Sequence, residues 1–256
     1  MSRKEQRIKE SLQLIERCKG ITIRDIASLT GVSELTARRD VSELVEKRLV
    51  NNVHGTIFYN MEQSGNDSYL LSIAGSKHQS EKRRIGEYAA KIIQPGEFVI
   101  IDNGSTTEQL AASIPVNAEA TVLCYNVNVL NNLYQKPNIN LLFCGGTFHH
   151  QTQMFECPES LEIIRRARAS KVFVSAAGVH ETLGVTCSSD YELPNKREII
   201  KAGVERILLV DSSKFGRVEP YFFSELNTYE RIITDSKLPA EWQQHIRDLG
   251  INLVMV

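Results

Sequence analysis

Residues 22–47 read TIRDIASLTGVSELTARRDVSELVEK, and they predict two short helices joined by a turn at Gly31. Thr22 stands where an N-cap hydroxyl belongs, with Asp25 three residues on, before Ile26 and Leu29 supply an inner face. Gly31 permits a tight turn, and Ser33 caps the helix that begins with Glu34. At about 100° per residue, Ala37, Val41 and Leu44 share one sector and face a core. Opposite them lie Leu35 and Arg39, with Ser42 close by and Thr36 and Arg38 on the flanks. A leucine beside two arginines on an outward face suits a helix laid in the major groove. There, Arg reaches guanine edges or phosphates and Leu touches a thymine methyl. The plainer alternative is a helical hairpin whose arginines only meet water. The turn glycine and the two caps agree with DNA reading.

Working outward, Arg3 to Cys18 places Ile8, Leu12 and Ile15 on one helical face, and Lys19–Gly20 ends that helix. After the helix that carries Arg38 and Arg39, RLVNNVHGTIFY (48–59) alternates around a His-Gly turn. Leu49, Val50 and Val53 precede the turn, Ile57 and Tyr59 follow it, and Gly55 sits at the tip. This predicts a β-hairpin wing, in which His54 either touches a phosphate or stabilises the turn. Residues 60–75 are polar and rich in Ser, Gly and Asn, as expected of a linker. The chain therefore divides into a head (1–59), a linker (60–75) and a body (76–256).

The bulk numbers agree. A content of 42% hydrophobic and 24% charged residues is that of an ordinary soluble protein. No apolar run approaches the roughly 20 residues of a membrane span, and the first residues lack an apolar signal core. Cys18, Cys124, Cys144, Cys157 and Cys187 form no CxxC pair, which fits a reducing cytoplasm and predicts neither zinc nor a disulfide framework. The net charge of −1 hides an asymmetry. Residues 1–60 hold 11 Lys+Arg and 8 Asp+Glu, a net of +3, whereas residues 61–256 hold 19 and 23, a net of −4. A basic head suits an anionic partner.

In the body, a helix is predicted from Glu81 through Ile85, Ala89 and Ile92 or Ile93, stopping at Pro95-Gly96. Apolar runs then alternate with helical patterns: Phe98 to Ile101, Thr121 to Cys124, Leu141 to Cys144, Lys171 to Ser175, Ile207 to Val210, Arg231 to Thr234, and Asn252 to Val256. That alternation predicts an α/β fold with a largely parallel sheet. Ligands collect at the carboxyl ends of such strands, so the residues just past each strand are the candidates.

Past the first strand, Asp102-Asn103-Gly104-Ser105-Thr106-Thr107 opens a helix whose free amides and hydroxyls suit a phosphate. The same pattern also describes a capped helix that needs no ligand. No Lys-Ser/Thr pair follows, so nucleotide hydrolysis is not expected. Tyr125-Asn126, Gly145-Gly146 with His149 and His150, and Ala177-Gly178 with His180 follow other strands. Val210 to Gly216 places Lys214 past the fifth strand. Several small or polar strand ends, with one lysine to neutralise an anion, point to a phosphorylated polyol. The histidines match no metal spacing, and no cofactor is expected. Asp102, Asp211 or Glu192 could act as a carboxylate base, with Lys214 as electrophile, in a sugar-phosphate isomerase-like enzyme with an appended helical head. That enzyme is the alternative to a sensor.

The chain resembles the DeoR family of bacterial regulators over nearly its whole length. The resemblance is carried by Gly31 to Val41 (GVSELTARRDV) and the Val53-His54-Gly55 wing, then by FCGGTFH (143–149), SAAGVH (175–180) and the segment Asp211, Ser213, Lys214, Phe215, Gly216. It implies a winged helix-turn-helix followed by a Rossmann-like α/β effector domain related in fold to ribose-5-phosphate isomerase. It further implies a homo-oligomer that binds operator DNA and senses a sugar phosphate. DNA contacts would come from Thr22, Ser33, Glu34, Leu35, Thr36, Arg38, Arg39, Ser42 and His54. The effector would meet Asp102, Gly104, Ser105, Thr106, Thr107, Asn126, Gly145, Gly146, Gly178 and Lys214, and the resemblance adds Glu192 and Lys196. The two strings look most like the deoxyribonucleoside-operon branch, which responds to deoxyribose 5-phosphate. Two departures stand out: Asn51-Asn52 where many members carry basic residues, and Ala177 where many have Asp.

Overall fold

Ile8, Ile15, Ile26, Ala37, Val41, Leu44 and Ile57 are buried together in the head, and a larger apolar core organises the body. The computed structural model describes residues 3–18, 21–46, 49–53, 55–59 and 77–256. The expected linker, the Lys19–Gly20 stop and His54 lie outside the described residues.

The head runs α1 (Arg3–Cys18), β1 (Ile21–Thr22), α2 (Ile23–Thr30), α3 (Glu34–Glu46), β2 (Val50–Val53) and β3 (Thr56–Tyr59). Thr22 caps α2 by accepting from Asp25 N, and Gly31 takes the left-handed conformation at φ 68°. The wing is the expected hairpin, but β1 adds a third strand, giving the order β1-β3-β2. Two residues of strand carry no alternation, so nothing in the sequence announces β1. Leu29 corrects another expectation: it is 64% exposed, and Ala27 is buried instead. At about 100° per residue, Ile23, Ile26, Ala27 and Thr30 share one sector, from whose centre Leu29 falls about 110° away.

The body is a three-layer α/β unit. Its elements are α4 (Gln79–Lys91), β4 (Glu97–Ile101), α5 (Ser105–Ser113), β5 (Ala120–Cys124), α6 (Val127–Leu133), β6 (Ile139–Phe143), β7 (Thr147–His149), β8 (Met154–Glu156) and α7 (Pro158–Arg166). There follow β9 (Ala169–Ser175), β10 (Gly178–His180), β11 (Gly184–Cys187), α8 (Leu193–Ala202), β12 (Gly203–Leu209), β13 (Tyr221–Ser224), β14 (Arg231–Thr234), α9 (Ala240–Asp248) and β15 (Asn252–Met255). Seven strands form one sheet in the order β15-β14-β12-β9-β4-β5-β6, every neighbouring pair parallel. Central strands covered on both faces read as apolar runs, as Val172-Phe173-Val174 and Ile207-Leu208-Leu209 do. Ile85, Ala89, Leu110, Ala111, Val129 and Leu133 cover one face, while Ile164, Ile199, Ile200, Trp242 and Ile246 cover the other.

The strand order decides where a ligand sits. From β4 the chain winds outward through β5 to β6, then returns to β9 on the other side of β4 and continues through β12, β14 and β15. The direction reverses between β4 and β9, and the crevice beyond their carboxyl ends is the preferred ligand position in such sheets. Two antiparallel pieces were not expected: the hairpin β7–β8 and the small sheet β10-β11-β13. Their strands of three or four residues are too short for alternation to stand out. Smaller shifts concern bounds: α4 begins at Gln79 rather than Glu81, and β6 ends at Phe143 rather than Cys144.

Candidate functional site

In the head, Arg7 of α1 grips Asp40 of α3 with two bonds, Nε to Oδ2 at 2.6 Å and a terminal nitrogen to Oδ1 at 2.9 Å. Asp40 is buried beside Ala37, Val41 and Leu44, so the fork sets the rotation of α3. That rotation leaves Glu34, Leu35, Arg38, Arg39 and Ser42 in solvent, with Leu35 61% exposed. Thr22 and Ser33 are also exposed, but their hydroxyls hold caps, Thr22 on Asp25 N at 3.2 Å and Ser33 on Thr36 N at 3.3 Å. Thr36 closes its hydroxyl on Ser33 at 2.9 Å, and Ser42 donates to Arg38 O at 2.9 Å. The side chains of Arg38, Arg39 and Leu35 therefore remain for a partner.

In the body, Asp102 is fully buried at the switch point. Its Oδ1 accepts from Asn103 N and the Tyr125 hydroxyl, and its Oδ2 from Ser175 N at 3.0 Å and Lys196 Nζ at 2.6 Å. Lys196 also donates to Ser175 O at 2.9 Å and stands 3.8 Å from Glu192. Glu192 accepts from Asn103 Nδ2, the Ser188 hydroxyl and Ser189 N at 3.0–3.1 Å. Burial works against the Lys196 charge, but Asp102 and Glu192 outweigh it and raise its pKa. Burial first, then Asp102, pushes the Tyr125 hydroxyl well above its usual range, so it stays a donor.

These contacts amend the expected ligand set. Asp102, Glu192 and Lys196 come together as anticipated, but they bind one another, and four donors already fill the Asp102 carboxylate. Their geometry holds the strand ends in place. Gly104 serves the same junction: at φ 156° its Cα faces Ser175, and a Cβ there would lie 2.5 Å from the serine hydroxyl. The loop at 104–107 can therefore close onto β9 only without a side chain.

Beyond Gly104, α5 begins with no side-chain cap, and its first amides have no partner within the helix. The hydroxyls of Ser105 and Thr106 have no hydrogen-bond partner among the described residues, whereas Thr107 donates back to Gly104 O at 2.9 Å. Asn126 caps α6 through its Oδ1 on Val129 N at 2.9 Å, leaving its buried Nδ2 without a partner among the described residues. Gly145 has open space beside it, while Gly146 and Gly178 pack against Glu156 O and Arg217 O. The small size of those two glycines thus serves packing.

Lys214 lies in a short turn capped by Asp211. Burial lowers its pKa, Asp211 and Glu219 oppose that, and Arg217 and Lys77 add to it. Lys82 on α4 was missed by the sequence reading. It is 2% exposed, and burial lowers its pKa to about 8 against the pull of Asp211, with Lys214 adding to the drop and Glu108 opposing it. Its signal was legible: three residues before Ile85 and seven before Ala89, it sits at the buried phase of α4. Lys82 thus links the start of α5, through Glu108, to the Lys214 turn. An uncapped helix start of this kind attracts anions in general, and Lys82 carries its charge within electrostatic reach of both Glu108 and Lys214.

The histidines take structural places. His149 stacks on Tyr191 with centroids 3.7 Å apart and planes at 7°, and His180 accepts from Thr182 N and Leu183 N in a turn.

Residues 7–63 match the DeoR-like helix-turn-helix domain and residues 77–236 match the DeoR C terminal sensor domain. The chain is 32% identical over 253 residues to the deoxyribose operon repressor of Escherichia coli strain K12, covering 99% of each. It is 28% identical over 251 residues to the HTH-type transcriptional regulator IolR of Bacillus subtilis strain 168, covering 96% of this chain and 98% of that one. A ribose 5-phosphate isomerase A structure from Methanocaldococcus jannaschii aligns at TM-score 0.39 and 16% identity, over 54% of this chain and 55% of that one. That overlap is too slight to bear on activity. With a family helix-turn-helix at its head and the family sensor domain over most of its length, the chain belongs to the DeoR family of transcriptional regulators.

Proposed function

We propose that this regulator is a repressor of a sugar or nucleoside catabolic operon in the cytoplasm, released from its operator when a phosphorylated sugar enters the body. Residues 1–59 read the operator, 60–75 link, and 76–256 sense. The observation that carries this reading is the uncapped start of α5 at the end of β4, with the largely desolvated Lys82 coupled both to Glu108 of α5 and to Lys214. A phosphate dianion there would meet two cations, three backbone amides and the free hydroxyls of Ser105 and Thr106. The Asn126 amide offers a donor to a sugar hydroxyl further along the crevice. Likeness to the deoxyribose operon repressor supports deoxyribose 5-phosphate as the first ligand to try.

Release requires that the ligand bind the DNA-competent and DNA-incompetent arrangements with different affinity, since equal affinity shifts nothing. Two heads per operator are needed to match a palindrome, so the working unit is a homo-oligomer. An isomerase reading fares worse, because its base needs a free carboxylate. Asp102 has four donors and Glu192 three, which disfavours both as bases, while Asp211 keeps a buried Oδ2 with no partner among the described residues, and the turnover assay below tests it.

Thermal-shift screening of pentose and hexose phosphates, followed by operator release in a mobility assay, tests the reading. A stabilising sugar phosphate that also frees the DNA supports it. Turnover of that sugar phosphate, or operator binding indifferent to every one of them, overturns it.

A further inference from the structure

Between Glu119 and Glu156 the only Asp, Glu, Lys or Arg is Lys136, in a chain that is 24% charged. Lys136 turns its ammonium inward, donating to Ala111 O and Ile114 O at the end of α5. The segment folds into β5, α6, β6 and the hairpin β7–β8, and so builds one end of the main sheet. That end is almost free of charge.

β6 is the last strand there, so one side of its backbone has no ladder partner among the described residues. Asn140 and Leu142 are exposed on the face opposite Ile139 and Leu141, Leu142 to 41%. Tyr134, just past α6, is 60% exposed. Phe143, Phe155 and Phe148 form a half-buried aromatic ridge alongside, with centroids 5.3 and 4.9 Å apart. Soluble proteins usually blunt a bare strand edge with lysine, proline or a bulge. The edge strand INLLF (139–143) carries no lysine or proline, and its register with β5 runs without a break.

The charge pattern indicates the occupant. A two-fold contact sets each residue near a copy of itself or of its neighbour, so any charge close to the axis would face its like. A neutral strand flanked by an inward-turned lysine satisfies that condition. Nucleic acid or an acidic peptide would instead select basic residues at the surface. The body is also net acidic, with 19 Lys+Arg against 23 Asp+Glu over residues 61–256, and two such bodies approach most easily through a neutral face. The opposite edge, β15, lies beside α9 with its charged Glu241, Arg247 and Asp248.

We propose that β6 pairs antiparallel with β6 of a second copy of this chain, joining the two main sheets across a two-fold axis. The assignment rests on the oligomeric reading above and names its surface. It also bears on control. Val127 N donates to Gln153 O at 2.9 Å and Phe155 N to Tyr125 O at 2.7 Å, so the hairpin bordering this face is tied to the strand end at the crevice.

Sedimentation of the full-length protein tests it. Asn140 and Leu142 are both exposed, so double substitutions to Lys and to Glu should fold, as circular dichroism and melting will verify. The wild type is expected at twice 28.9 kDa. Each double variant should run as a monomer, with association weakened about 100-fold or more by like charges. An equimolar mixture of the Lys and Glu forms should recover the dimer, which mere damage to the fold would not allow. A wild-type dimer that survives both double variants, or that dissociates with Met255→Lys on β15 instead, overturns the surface while sparing the oligomer. A wild type that is monomeric at every concentration overturns both.

Discussion

Lys196 Nζ stands 2.6 Å from Asp102 Oδ2, joining residues 94 apart in the chain with both side chains almost wholly out of water. The pair clamps the start of the loop at 102–107 to α8 across the point where the sheet changes direction. A buried ion pair of this kind adds little net stability over an apolar replacement, but breaking it leaves a charge stranded.

Asp102→Asn is therefore expected to destabilise the body by about 3–5 kcal/mol, measured by urea unfolding. Adding Lys196→Met should recover part of the loss because the stranded cation goes with it. Tyr125→Phe removes one donor of four and should cost less, about 1–2 kcal/mol. Equal losses for all three would mean that no shared network exists.

Lys82→Met should raise the melting temperature of the ligand-free protein at pH 7 while abolishing stabilisation by a sugar phosphate. Burial has lowered this lysine to about 8, below its unfolded value of 10.5. Between those two pH values the folded chain binds fewer protons than the unfolded one, so its stability rises with pH there. Below about 8 the cost of the buried charge is fully present. The variant should lose this slope, and calorimetry from pH 7 to 10.5 reads it directly.

An anion seated on Lys82 restores the proton that burial disfavours. Effector affinity should accordingly fall as pH rises past about 8, by up to about tenfold per pH unit for one linked proton. Titration calorimetry in two buffers of different ionisation enthalpy should detect proton uptake near pH 8.5. No uptake would place the phosphate away from Lys82.

Ser105→Ala and Gly104→Ala should leave operator affinity unchanged and blunt the response to effector. The glycine change is expected to be the more severe, because its Cβ collides with Ser175 at 2.5 Å. Normal release from both variants would remove the 104–107 loop from the site.

Arg39→Ala should weaken operator binding and lower discrimination against a mutated half-site by about 1–3 kcal/mol if Arg39 reads a base. Leu35→Ala should relax preference at a thymine with less loss of overall affinity. Equal losses on random DNA would reduce both residues to backbone contacts.

Much of the head was legible because its signals are local. Capping by Thr22, the αL turn at Gly31 and the phase of Ala37, Val41 and Leu44 each depend on residues at most a few positions away. Leu29 was misplaced because its neighbour Ala27 is small, and a small residue hides which sector a short helix buries. In the body, all seven main strands were readable as apolar runs, while β1, the β7–β8 hairpin and the β10-β11-β13 sheet were too short to register.

The amino-acid sequence alone determined the helices of the head, the seven strands of the main sheet, which face of α3 turns outward, and which polar residues follow each main strand, since periodicity and capping act within a turn or two. Only the tertiary structure decided which strand ends meet. By placing β9 beside β4 it brought Ser175 and Lys196 onto Asp102, so that the candidates Asp102, Glu192 and Lys196 also bind one another. It also brought Lys82 of α4 within electrostatic reach of Asp211 and Lys214. The physical reason is desolvation: whether a charge binds a ligand or a neighbour depends on what excludes water from it, and that is set by residues far away in the chain.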